Sequence, residues 1–186
     1  NHILDYKEAG LLETLTTLKR EKILFCGAGR NLAEAEKPAI REFNSYRVLV
    51  FGYAHISSGV PLSWQAKANK PGVNLIIDFE KDFNQVTNNI RKFSKDKDFT
   101  IFSIHLGPNW GYEITDEERE FFYKLIDSGL ADLIFGHSSH HFKGFELYKD
   151  KLVLTGAGDF INDYEGIGGY EEFRSDLVLA YVVKID

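Results

Sequence analysis

Two imidazoles, His137 and His140, sit in the short stretch Gly136-His137-Ser138-Ser139-His140. The residues before them, Leu130-Ala131-Asp132-Leu133-Ile134-Phe135, read as a short buried strand. A third imidazole, His105, follows the apolar run Phe99-Thr100-Ile101-Phe102-Ser103-Ile104 in the same way. A fourth, His2, stands beside Asn1. Four of the six histidines therefore fall at strand ends or at the first residues given. Neutral imidazole is the commonest protein ligand for a transition metal, and ligands of open α/β sheets bind at strand ends. The pattern predicts that His105, His137 and His140 converge with Asn1 and His2 on a metal-dependent, hydrolase-like site. His55 and His141 are left as surface or core histidines, His141 because adjacent side chains on an extended chain point apart.

Three further stretches could take part. Gly27-Ala28-Gly29-Arg30-Asn31 is either a tight turn or a loop from which Arg30 and Asn31 reach an anion. It lacks the third glycine of a dinucleotide fingerprint and the Gly-Lys-Ser/Thr of a P-loop. Gly107-Pro108-Asn109-Trp110-Gly111-Tyr112-Glu113 puts aromatic rings and a carboxylate just after His105. It reads either as a substrate loop or as a cap on the core edge. In Asp159, Asp163 and Glu165 the expectation of function falls on Asp159 alone, because it follows a strand end. The lone cysteine, Cys26, lies in the apolar run Ile23-Leu24-Phe25-Cys26 and reads as a buried thiol, not a nucleophile.

Elements that could position these groups follow from periodicity. Apolar residues at 11, 12, 15 and 18 predict a helix over Glu8 to Arg20, and those at 83, 86, 90 and 93 one over Glu80 to Ser94. Asn31 to Glu36 reads as a short helix stopped by Pro38. Asp116 to Ser128 reads as a helix opened by a Thr115/Glu118 capping box and closed at Gly129. Strands are expected at Ile23–Cys26, Tyr46–Tyr53, Phe99–Ile104, Asp132–Phe135 and Leu177–Ile185, and Val73–Ile77 reads as either a short strand or an extended segment. A hairpin joins Phe145–Tyr148 to Leu152–Leu154, and His55 to Gly72 reads as a long loop. Helices alternating with strands predict one α/β domain over residues 1–186, with a mixed sheet covered by helices.

Charge and hydropathy narrow the partners. The formal net charge of −6 over 186 residues argues against a nucleic-acid surface, which carries a basic stripe. No run of eighteen apolar residues occurs, so no membrane span is expected. The chain begins at Asn1, not Met, so a preceding segment is expected to have been removed or left out.

At these residues the chain resembles the CapA capsule-synthesis family of poly-γ-glutamate biosynthesis proteins, relatives of the calcineurin-like metallophosphatases. Asn1-His2-x-x-Asp5-Tyr6 is similar to that family's first shared segment. Gly27-x-Gly29-x-Asn31-x-x-Glu34-Ala35-x-x-Pro38 matches a second, and Ser103-Ile104-His105-x-Gly107 a third. Leu125-Ile126-Asp127-x-Gly129-x-Ala131-Asp132 leads into Gly136-His137-x-x-His140 as in the family, and Gly158-Asp159-Phe160 stands where the family has Gly-Asn/Asp-Phe. Leu106 stands where the family has Trp, and Ser138-Ser139 where it has His-Pro.

The resemblance implies a four-layer α/β/β/α sandwich of mixed sheets, metallophosphatase-like and here lacking its N-terminal segment. It implies metal ligation by Asn1, His105, His137 and His140, with His2 as general acid and Asp5 orienting it. Arg30, Asn31, Glu34, Asn109 and Glu113 are the candidate substrate-binding residues. Two divalent ions (Mn, Fe or Zn) are expected in the complete protein, with the acidic ligands of the first strand lying before Asn1. This chain alone is therefore expected to be a weak or inactive phosphoesterase. The implied partners are an anionic polymer or phosphoester substrate and the capsule-synthesis machinery, and the implied location is the cell envelope, with the cytoplasm as the other option. A non-catalytic protein that holds an anionic polymer in the same cleft is the competing reading.

Overall fold

The computed structural model describes residues 2–161, 168–174 and 176–184. In chain order its elements are α1 (Lys7–Arg20), β1 (Ala28–Gly29), α2 (Leu32–Ala35), β2 (Ala39–Glu42), β3 (Arg47–His55), β4 (Gly72–Val73), β5 (Leu75–Ile76), α3 (Phe79–Phe93), β6 (Asp98–His105), α4 (Asp116–Asp127), β7 (Leu133–His137), β8 (Phe145–Tyr148) and β9 (Lys151–Leu154). The main sheet runs β2-β3-β6-β7-β9-β8, with β5 continuing the β2 edge of β3. Strands β3, β6, β7 and β9 are mutually parallel, and antiparallel β2 and β8 close the two edges. The crossovers that parallel pairing requires are α3, between β3 and β6, and α4, between β6 and β7. The chain is thus mixed α/β, as its alternating pattern predicts.

The two crossover helices build the main core. Phe51, Tyr53, Phe102, Ile104, Ile134 and Val153 meet Phe79, Val86, Ile90, Phe121, Phe122 and Leu125 on one face of the sheet. Each helix starts where a side chain can satisfy its first amides. Asp78 accepts from Glu80 N and Lys81 N, and Thr115 and Glu118 form the reciprocal capping box that the sequence predicts. Because strand side chains alternate, Phe102 and Ile104 on the helix face put Ser103 and His105 on the other. On that side a smaller core gathers Leu4, Leu11 and Leu15 with Ala28, Ala54, Val73 and Leu75. The hairpin β8–β9 turns through Lys149 and Asp150, both at positive φ.

Two expected strands are corrected. Ile23–Cys26 forms no ladder, and pairing begins only at β1, which joins β4 in a two-stranded sheet. Gly27, at φ 84°, lies so close to Gly52 that a Cβ would sit 3.0 Å from the Gly52 carbonyl, and this packing sets Cys26 against β3. Residues 177–184 also form no strand among the described residues, and Ile185 lies outside them. Both segments are apolar, but a strand exists only where a neighbour accepts its hydrogen bonds. In the Val73–Ile77 segment, Asn74 splits the expected strand into β4 and β5, its amide donating to Gly27 O and its carbonyl accepting from Ala54 N.

Candidate functional site

His105 closes β6 and His137 closes β7, and the parallel register pairs the two residues directly. Their side chains therefore leave the same face at the C-terminal edge of the sheet. The two Nδ1 atoms face each other at 3.2 Å. Two imidazole lone pairs at that distance repel, so either a proton or a cation belongs between them. Two nitrogens bound to one ion at about 2.0–2.1 Å lie roughly 3.0–3.4 Å apart, so this spacing fits a shared divalent ion. Ser103, two residues before His105 and on the same face, holds the far side of the other ring, its Oγ 3.1 Å from His137 Nε2. His105 Nε2 is buried with no hydrogen-bond partner among the described residues. A buried ring nitrogen without a partner calls for a ligand of its own, on the side of the ring away from Nδ1.

Burial also keeps these rings neutral. Desolvation pushes His105 down to about 3, and the neighbouring imidazoles of His137, His2 and His140 push the same way. Desolvation pushes His137 down to about 4. Neutral imidazole is the ligating form, so protons do not compete with a cation here near neutral pH.

His140 stands close enough to His105 to bear on its charge. Its Nδ1 is 2.8 Å from Asp159 Oδ2, and its amide donates to Asn109 O at 3.0 Å. A carboxylate on one ring nitrogen fixes the tautomer and orientation of a ligating histidine. Asp163 and Glu165 lie outside the described residues, as does Asn1. His2 is exposed, and its Nδ1 lies 2.7 Å from Asp5 Oδ2, the partner the sequence suggests. Among the described residues no three His, Cys, Asp or Glu side chains form a set ready to hold an ion. The geometry brings together two of the expected ligands, with a third nearby.

The candidate substrate residues divide. Asn31 caps α2 through its side chain, and Glu34 takes bonds from Lys19 Nζ, Arg30 N and Arg30 Nη1. These bonds serve the turn between β1 and α2. Asn109 and Glu113 are exposed on the loop after His105, and both lend backbone carbonyls to the site's framework. In the same loop Trp110 stacks on His141 and on Tyr170, with ring centroids 6.0 Å and 4.4 Å away. His141 is fully buried in this aromatic packing, and its Nε2, like that of His105, has no hydrogen-bond partner among the described residues. Cys26 is half-buried and desolvation raises its pKa, which suits a packed thiol.

Two contributors escape the sequence reading. Ser103 could have been found from strand period alone, two positions from His105. Lys143, buried behind the loop, has no sequence signal, because it lies in a polar turn with no periodicity.

The bacterial capsule synthesis protein PGA_cap family matches residues 1–164. A probable polyglutamine synthesis accessory protein of Mycobacterium tuberculosis (strain H37Rv) is 42% identical over 189 residues, covering 100% of this chain and 50% of that protein. The PGA biosynthesis protein CapA of Bacillus subtilis is 25% identical, covering 99% of this chain and 45% of that protein. The capsule biosynthesis protein CapA of Bacillus anthracis is 23% identical, covering 99% and 43%. The chain spans about half the length of the relatives it matches.

Proposed function

The chain belongs to the bacterial capsule synthesis protein PGA_cap family, and from that premise we propose that it serves capsule or polyglutamate biosynthesis through a divalent-metal centre that cleaves a phosphoester. The observation that carries this reading is the 3.2 Å approach of His105 and His137 at the ends of adjacent parallel strands. His105, His137 and His140, with Asn1, would hold the ion. Such an ion supplies Lewis-acid polarisation of a phosphoryl oxygen. His2, paired with Asp5, holds the proton for the leaving oxygen. Asp159 orients His140, and Ser103 orients His137. Arg30, Asn31, Glu34, Asn109 and Glu113 would frame an anionic substrate. A second ion would complete the centre in the full-length protein.

The same reading extends to the fold. Parallel strands call for cover on both faces. Val48, Val50, Phe99 and Ile101 on the face away from α3 and α4 are only half-buried, and Val178 and Val182 near the end of the chain are exposed. A second sheet on that face would complete the α/β/β/α sandwich.

One observation favours a second reading. The want of a third ready ligand among the described residues suits a protein that keeps the fold and uses its cleft to hold an anionic polymer without cleaving it. Titration of the full-length protein with Mn2+ and Zn2+, beside turnover of bis(p-nitrophenyl) phosphate, separates the two. Stoichiometric metal with turnover, both lost in His137→Ala, supports the enzyme. Polymer binding with neither metal nor turnover supports the binding protein.

A further inference from the structure

Lys143 is 7% exposed, although it lies in a turn beside exposed Gly144 and Phe145. Lysines ordinarily run their stems along the surface and keep the ammonium in water, so a buried ammonium needs a structural reason. Both ends of this side chain are held. Its backbone amide donates to Gly156 O at 2.8 Å. Its stem crosses Gly156 so closely that a Cβ there would lie 2.7 Å from Lys143 Cγ and 2.6 Å from Ser139 Oγ. Its Nζ donates to Glu113 O at 3.4 Å and stands beside Gly107, 3.7 Å from the place a Cβ would occupy. Burial pushes its pKa down, and the buried Glu118 carboxylate acts against that.

These contacts link the two histidine-bearing loops. The loop after His105 touches the turn after His137 at two other points, Ser138 Oγ to Gly107 O at 2.8 Å and His140 N to Asn109 O at 3.0 Å. The second of these sets where the His140 backbone stands. The Glu113 end of the loop is tied to the same turn through the Lys143 ammonium.

We propose that Lys143 is a positioning residue of the histidine site, its ammonium holding the Gly107–Glu113 loop against the Ser138–Phe142 turn so that His140 meets Asp159. The metal part of this inference rests on the proposed metal centre, and the positioning part does not. Lys143→Met keeps the stem and removes the charge and donors. Lys143→Arg keeps both.

The test uses the full-length protein. Ring 15N NMR signals of His140, recorded without metal, report the tautomer that Asp159 selects. Lys143→Met should shift them while the amide signals of α3 stay in place, and Lys143→Arg should return them toward wild type. Mn2+ affinity, read by calorimetry, should fall about 10–100-fold in Lys143→Met and recover in Lys143→Arg, the range for groups that orient ligands. Unchanged His140 ring signals in Lys143→Met overturn the proposal, whatever happens to its melting temperature. So does a shift shared by the α3 amides and not rescued by Arg, which marks general loss of packing. A wild-type protein that binds no Mn2+ overturns the metal reading, and the ring signals still decide the positioning role.

Discussion

His105 and His137 are register partners on adjacent parallel strands, and their Nδ1 atoms face each other at 3.2 Å. The pairing follows from the backbone. Both residues end a strand, both strands run the same way, and hydrogen-bonded neighbours lie about 4.8 Å apart, close enough for imidazoles on one face to meet. Desolvation then keeps both rings neutral.

Replacing either ring removes half of the pair. His105→Ala and His137→Ala should each lower Mn2+ or Zn2+ affinity by more than the roughly 10–100-fold typical of groups that only orient ligands. Cys26→Ser should leave affinity unchanged, since its thiol packs against Gly52 and burial raises its pKa, as suits a packed thiol. Calorimetric titration of the three variants checks this. Equal affinity in His137→Ala and wild type would sink the metal assignment.

The same rings make stability depend on acid. In the unfolded chain each histidine takes up its proton near 6.5. In the folded chain His137 waits until about 4 and His105 until about 3. Their folded pKa values are depressed, so the unfolded state binds more protons below about 6.5. The stability they confer is full above that pH and is lost as pH falls toward 4 and then 3. Each site contributes a slope of up to about 1.4 kcal/mol per pH unit in that window. Urea unfolding of the metal-free chain between pH 7.5 and 4 should show the decline, and His137→Gln should flatten it. A wild-type curve with no slope there would show that these rings protonate as readily folded as unfolded.

Much of this was legible in the residues, and the reasons differ by element. Helices α1, α3 and α4 announce themselves through apolar spacing, and α4 also through Thr115 and Glu118. Strands β3 and β6 are rich in β-branched and aromatic residues and cross the middle of the sheet. Ile23–Cys26 and residues 177–184 carry the same composition but form no strand, because ladder partners are not encoded locally. Strand β2, Ala39–Glu42, went unread because its half-polar sequence, with two exposed residues, suits an edge. At the site, strand ends pointed to His105 and His137, whereas Lys143 acts from a turn that only the tertiary fold brings to Glu113.

Asp159 should matter for charge more than for shape. Its Oδ2 lies 2.8 Å from His140 Nδ1, and both side chains are partly buried. Asp159→Asn keeps a carbonyl oxygen for the ring and removes the negative charge. Metal affinity should fall about 10–100-fold while stability stays within about 1 kcal/mol of wild type. Paired metal titration and thermal melts of this variant decide it. A large loss of stability with unchanged affinity would make Asp159 a structural group.

Two glycines beside the site should respond unequally to alanine. At Gly156 a Cβ would meet side chains, Ser139 Oγ at 2.6 Å and Lys143 Cγ at 2.7 Å. Those atoms can shift, although Ser139 Oγ would strain its bond to His141 O and Lys143 its reach to Glu113. At Gly136 a Cβ would meet backbone, Thr155 O at 2.6 Å and Leu154 O at 2.8 Å. Backbone at the end of β9 can yield only if the strand moves away from β7, and β7 carries His137 as the next residue. Overpacking of this kind costs about 1–3 kcal/mol, so Gly156→Ala should fall within that range and Gly136→Ala at or above its top. Gly136→Ala should also disturb the His137 ring, whereas Gly156→Ala should act first on His140 through Lys143. Denaturant unfolding ranks the stabilities, and histidine ring NMR reads which site moves. A Gly136→Ala variant as stable as wild type would mean that β7 and β9 are not packed as closely as 2.6 Å implies.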